Sequence, residues 1–80
     1  MTFKTIGPTA LHAQGNYGVF PVLLIDDSVS PPNCKVVEYA LIDLTTGIVL
    51  YIGSWEDCVW QAEERDEFDQ QAVSPPGHRP

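Results

Sequence analysis

Basic side chains are scarce in this chain. Its 80 residues hold four Lys or Arg against eleven Asp or Glu, for a formal charge of −7. Lys4, Lys35, Arg65 and Arg79 are spread along the sequence, so they assemble no basic patch. Direct binding to DNA, RNA or an anionic membrane is disfavoured, because such partners need cations against their phosphates. Cysteine is nearly as scarce. Two residues, Cys34 and Cys58, do not make a disulfide scaffold in a chain with enough apolar side chains for a core, and a reducing cytoplasm is the compartment expected. One Cys34–Cys58 bridge is the alternative.

Long hydrophobic runs are missing too. Val19 to Ile25 is the longest, at 7 residues, far below the roughly 20 that span a bilayer. The first ten residues, MTFKTIGPTA, lack the charged and apolar regions of a signal peptide. Histidine occurs twice, as His12 and His78, and with two cysteines it matches no zinc spacing. Neither histidine sits on an element expected to be rigid, so no nucleophile–base–acid arrangement can be built. Gly15-Asn16-Tyr17-Gly18 supplies glycines but no following Lys-Ser/Thr, so it is not a phosphate cradle. The carboxylate pair Asp26-Asp27 reads as a turn signal after a strand, and its use with His12 by a small enzyme or ligand carrier is a third-ranked reading. No metal, cofactor or catalytic residue is expected. There is no internal repeat and no PxxP ligand motif.

What is present begins with size. Eighty residues allow one core, and 44% apolar residues are ordinary for a globular chain. Residues 1–73 read as a single domain and 74–80 as a flexible Pro-rich tail. Thr2 to Ile6 reads as a short edge strand stopped by Gly7-Pro8, and the stretch up to Gly18 as turn-rich. Val19 to Ile25 is a strand apolar on both faces. Pro21 removes a ladder donor there, so an edge position or a start at Pro21 is expected. Lys35–Leu44 and Ile48–Ile52 form a hairpin around Thr45-Thr46-Gly47, a three-residue loop with Gly where a left-handed bulge belongs. That loop sets Leu44 opposite Ile48, Ile42 opposite Leu50 and Ala40 opposite Ile52, an all-apolar set expected to face the core. The other face carries Val37, Tyr39, Leu41, Asp43, Val49 and Tyr51. It awaits a cover, either residues 1–17 or a partner, including a second copy of the chain.

Ser54-Trp55-Glu56-Asp57 reads as a helix start, with Ser54 as N-cap and Glu56 and Asp57 at the positive end of the dipole. Trp55, Cys58, Val59 and Ala62 then share one stripe at 100° per residue. Asp66 and Asp69 fall on the same stripe, so the helix is expected to stop burying surface near residue 63. The fold expected is therefore α+β: a three-stranded antiparallel meander, with room for a fourth edge strand, followed by one helix on one sheet face.

The helix also concentrates charge. Residues 54–69 hold seven of the eleven acidic residues and both tryptophans, against the single base Arg65. Negative groups in the last turns oppose the dipole, and like charges three or four apart repel by roughly a few tenths of a kcal/mol. Folding alone would not select Glu63, Glu64, Asp66, Glu67 and Asp69 in that place. Trp60 lies about 140° around the helix from Trp55, off the docking stripe, and an exposed Trp is a leading hot-spot residue type. The function expected is a non-enzymatic protein–protein interaction module, an inhibitor or regulator occupying a basic, nucleic-acid-binding surface of a target protein. Phage and mobile-element inhibitors are similar in size and charge, a likeness of composition alone. The partner-binding residues expected are Trp60, Glu63, Glu64, Asp66, Glu67 and Asp69 on the helix, with Tyr39, Leu41 and Tyr51 on the sheet. The alternative is a homodimer or larger homo-oligomer pairing through the exposed sheet face.

Overall fold

The computed structural model describes residues 1–73, so the tail expected at 74–80 lies outside the described residues. Five antiparallel strands precede one helix: β1 (Thr2–Ile6), β2 (His12–Gln14), β3 (Tyr17–Asp26), β4 (Asn33–Asp43), β5 (Val49–Gly53) and α1 (Trp55–Val73). The α+β class, the edge strand at Thr2–Ile6 and the single C-terminal helix are as expected. The sheet order is β1-β3-β4-β5, with β2 also on β3.

β1 and β2 together make one interrupted strand along β3. Ile6 pairs with Val22, and His12 resumes the pairing opposite Val19. The short β2 was hidden in a turn-rich stretch, but Gly15-Asn16 closes it as a two-residue hairpin between Gln14 and Tyr17. Gly15 takes φ +59°, the left-handed value that glycine accepts at the first position of such a turn. The first seventeen residues thus extend the sheet sideways and do not lie across a face.

The interruption explains Pro21. Contrary to the edge position or the start at Pro21 expected, β3 begins at Tyr17 and is a central strand with β4 on its other side. The Pro21 carbonyl accepts from Gly7 N–H at 2.8 Å, so the main-chain groups of Pro21 point toward the gap between β1 and β2. A strand missing a donor is tolerated in a sheet interior where its neighbour is broken at the same level.

The β4–β5 hairpin turns where expected, with Gly47 at φ +77°. Ala40 does face Ile52, but Ile42 pairs with Val49 and not with Leu50. A register shift between Leu41 and Ile42 absorbs the extra residue as a bulge. Asp43 N–H donates to the Ile48 carbonyl and Gly47 N–H to that of Asp43, so the loop is one residue longer than the spacing suggests.

The core sits on the face opposite to the one expected. The Ala40–Ile42–Ile52 set was read as the core face, yet α1 packs on the Tyr39–Leu41–Tyr51 face. Leu41, Val19, Cys58 and Ala62 are fully buried together with Tyr17, and Tyr39, Leu50, Tyr51 and Val59 pack around them. The helix stripe Trp55–Cys58–Val59–Ala62 therefore docks as predicted, but on the other side of the sheet. Both faces of the hairpin are apolar, so alternation alone could not choose. The choice falls to β3, whose Val19 pairs with Leu41 and whose Tyr17 lies two residues further on the same face. Ser54 caps the helix: its Oγ accepts from Asp57 N–H at 3.2 Å and its carbonyl from Cys58 N–H at 3.0 Å.

Candidate partner-binding surface on the helix

The acidic run of α1 divides into an inner and an outer set. Asp66 is buried, with 9% of its surface accessible, and Asp69 is half-buried. Asp66 Oδ2 accepts from Gln14 Nε2 at 3.0 Å and from Gln70 Nε2 at 3.1 Å. Asp69 Oδ2 accepts a short hydrogen bond from the Tyr17 hydroxyl. These two carboxylates fasten the second half of the helix to the β2–β3 hairpin. The expectation that the helix stops burying surface near residue 63 is corrected accordingly. Apolar periodicity ends there, but docking continues through polar partners, as buried polar groups require. Asp66 and Asp69, expected at a partner, are occupied within the fold.

Tyr39, Leu41 and Tyr51 were expected on an exposed face and lie under α1 instead. Leu41 is fully buried. Tyr39 stacks edge-on against Trp55 with ring centroids 5.2 Å apart, and Trp55 also meets His12 at 6.1 Å. The Tyr51 hydroxyl donates to Asp57 Oδ2 at 3.3 Å. Cys58, whose Sγ lies 3.5 Å from the Tyr39 carbonyl, is buried and Cys34 is exposed, and both are free thiols. The Cys34–Cys58 bridge is absent.

The outer set is Trp60, Glu63, Glu64, Glu67 and Phe68. Positions 60, 64 and 68 recur every fourth residue, and 63 and 67 lie beside them, so all five share a stripe turned away from the sheet. With Gln71 they line one shallow groove. Trp60 is 59% exposed and Phe68 70%, and the three glutamates are exposed. Among the described residues none of the three is in an ion pair; the pairs present are Lys4–Glu38 at 3.3 Å and the terminal amine with Asp27 at 2.8 Å. Arg65, four residues before Asp69, forms no ion pair with it. It lines a neighbouring hollow with Tyr17, Gln61, Glu64, Phe68 and Asp69, and its Nε is buried without a hydrogen-bond partner among the described residues. Phe68 is the member that was not among the expected partner-binding residues; its spacing of eight from Trp60 is the signal that joins the two.

Electrostatics follow the same division. The Tyr17 hydroxyl is pushed above its ordinary pKa, first by its bond to Asp69 and then by burial. Tyr51 is raised chiefly by the charge of Asp57. Burial raises the Cys58 thiol. Asp43 and Asp26 are held low, first by the hydroxyls of Thr45 and Ser28, so both serve the turns that follow their strands. His12 pairs with Val19 on β3, whereas Asp26 lies seven residues further along, about 23 Å at strand rise, so these groups are not brought together. Among the described residues no group of three or more His, Cys, Asp or Glu converges to hold a metal ion. No described helix is long and apolar enough to cross a membrane.

No protein-family model matches the chain, and neither does any curated protein or solved structure.

Proposed function

We propose that this chain is a non-enzymatic protein–protein interaction module whose outer helix stripe docks on a basic protein surface. Its mode of action is that of an inhibitor or regulator occupying a site that otherwise receives nucleic-acid phosphates, in the reducing cytoplasm that its free cysteines suit. The observation carrying this reading is the stripe itself: Trp60 and Phe68 exposed two turns apart, with Glu63, Glu64 and Glu67 between and beside them and no ion pair among described residues. Asp66 and Asp69 have a structural reason to be acidic; these three glutamates have none in the fold. They repel one another along the helix, and a cationic partner relieves that cost. The aromatic rings supply the desolvated anchors that charge alone does not, and Arg side chains stack well on them.

The test uses the full chain immobilised against lysate of the cell that produces it, with proteins released by a salt gradient. The expected result is a retained basic protein that a Glu63→Lys/Glu67→Lys chain fails to hold and that duplex DNA displaces. Identical retention by wild type and the charge-reversed chain, or release that ignores salt, overturns the reading.

A further inference from the structure

The helix covers one face of the sheet, and the other has no layer upon it among the described residues. Register assigns Ile6, Phe20, Ile42, Val49 and Ile52 to that second face. Ile6 pairs with Val22, Phe20 with Ala40, Ala40 with Ile52, and Ile42 with both Gly18 and Val49. A Cβ on Gly18 would meet Phe20, Leu44 and Ala10, which adds Leu44 to the surface. Ile6 is 37% exposed, Leu44 47%, Val49 38% and Ile52 49%. None of these residues is charged. The nearest charges on this face border the patch: Glu38 pairs with Val22 at the level of Ile6, Lys4 lies two residues before Ile6, and the two are spent on each other. A contiguous patch of branched aliphatics on so acidic a chain marks an interface.

We propose that a second copy of this chain covers this face, the two sheets packing against each other and the two helices lying outside. Charge distribution selects this occupant. A charged partner surface would be desolvated against aliphatic side chains without compensation, whereas a second copy presents the same uncharged patch about a two-fold axis. The seven acidic residues of α1 stand on the opposite side of each sheet. Stacked sheets lie about 10 Å apart and a helix adds about 10 Å on each outer side, so the helix axes end up about 30 Å apart. That is several times the Debye length of about 8 Å at physiological salt, so the repulsion that opposes other modes of self-association is screened in this one. Edge pairing through β5 about an axis normal to the sheet would put both helices on one side and lose that advantage. The arrangement leaves Trp60 and the outer glutamates free, so it stands or falls separately from the proposed function.

Sedimentation equilibrium of the full chain, from low micromolar to a few hundred micromolar, decides the matter. The expected result is a dimer that raised salt does not weaken. Ile52→Asp and Leu44→Asp, both at half-exposed positions that the fold tolerates, each abolish it with unchanged far-UV circular dichroism. Glu63→Lys/Glu67→Lys leaves it intact. A wild-type chain that stays monomeric throughout overturns the proposal, whatever the variants do. So does a dimer that survives both Asp substitutions in folded protein.

Discussion

Gly15 and Asp66 fit together only because Gly15 has no side chain: a Cβ there would clash with the Asp66 carboxylate. Gly15 also sits at φ +59°, where an L side chain costs about 1–2 kcal/mol on conformational grounds alone. Gly15→Ala therefore loses more than that, because it also evicts Asp66 from Gln14. Asp66→Ala in the same chain removes the clash, so the double variant loses less than the sum of the singles by about 0.5–3 kcal/mol. Urea denaturation of the four chains measures the coupling; additive losses would mean that the helix end is not docked on the hairpin.

The Tyr17–Asp69 bond makes stability fall at alkaline pH. The folded-state pKa of Tyr17 is raised above its unfolded value near 10, first by the Asp69 hydrogen bond and then by burial. A group raised in this way contributes stability that is complete below its unfolded pKa and disappears as pH climbs through the folded one. Tyr17→Phe should lower the urea midpoint at pH 8, toward the lower end of the roughly 1.5–3 kcal/mol usual for a bond to a charged group. It should also flatten the decline above pH 10. Tyr51, raised chiefly by the charge of Asp57, should act in the same direction, and Tyr51→Phe tests it separately. An unchanged alkaline limb in Tyr17→Phe would contradict the bond.

The two thiols should differ in reactivity by orders of magnitude. Cys34 is exposed, while Cys58 is fully buried under the helix with its thiol pushed up by desolvation. Thiolate is the reactive form, so a disulfide reagent at pH 8 modifies Cys34 at once. Cys58 follows only at the rate at which the helix leaves the sheet, or immediately in denaturant. Two fast equivalents in native protein would place Cys58 elsewhere.

Features decided within a few residues were legible in the sequence, and those decided across the sheet were not. Ser54 as cap, Gly47 in its turn, the β1 span and the stripe through Cys58 and Ala62 each follow from local chemistry. The core face did not, because Ala40–Ile42 and Tyr39–Leu41 are equally apolar and the choice depends on Val19 and Tyr17. Pro21 looked like an edge signal because the break between β1 and β2 that accommodates it lies about fourteen residues upstream in pairing terms, at Gly7. Asp66 and Asp69 looked surplus to folding because their partners Gln14 and Tyr17 are 52 residues away in each case. Of the nine positions expected at a partner, Trp60, Glu63, Glu64 and Glu67 remain on an open surface; the structure adds Phe68.

Leu41 and Trp60 provide the sharpest separation of fold from function. Leu41 is fully buried between the sheet and Cys58, so Leu41→Ala should cost about 2–5 kcal/mol of stability through lost burial and a cavity. Trp60 is 59% exposed, and Trp60→Ala should leave the urea midpoint within about 0.5 kcal/mol of wild type. At the partner the order reverses. Measured well below its unfolding midpoint, Leu41→Ala should still bind, because its side chain packs on the side of the helix opposite the outer stripe. Trp60→Ala should weaken binding by about 2 kcal/mol or more, roughly thirtyfold, as expected of a central aromatic anchor. Phe68→Ala should act in the same direction and less strongly, since Phe68 lies two turns nearer the helix end. A Trp60→Ala chain that unfolds like Leu41→Ala, or binds like wild type, would show that the stripe belongs to the fold and not to a partner.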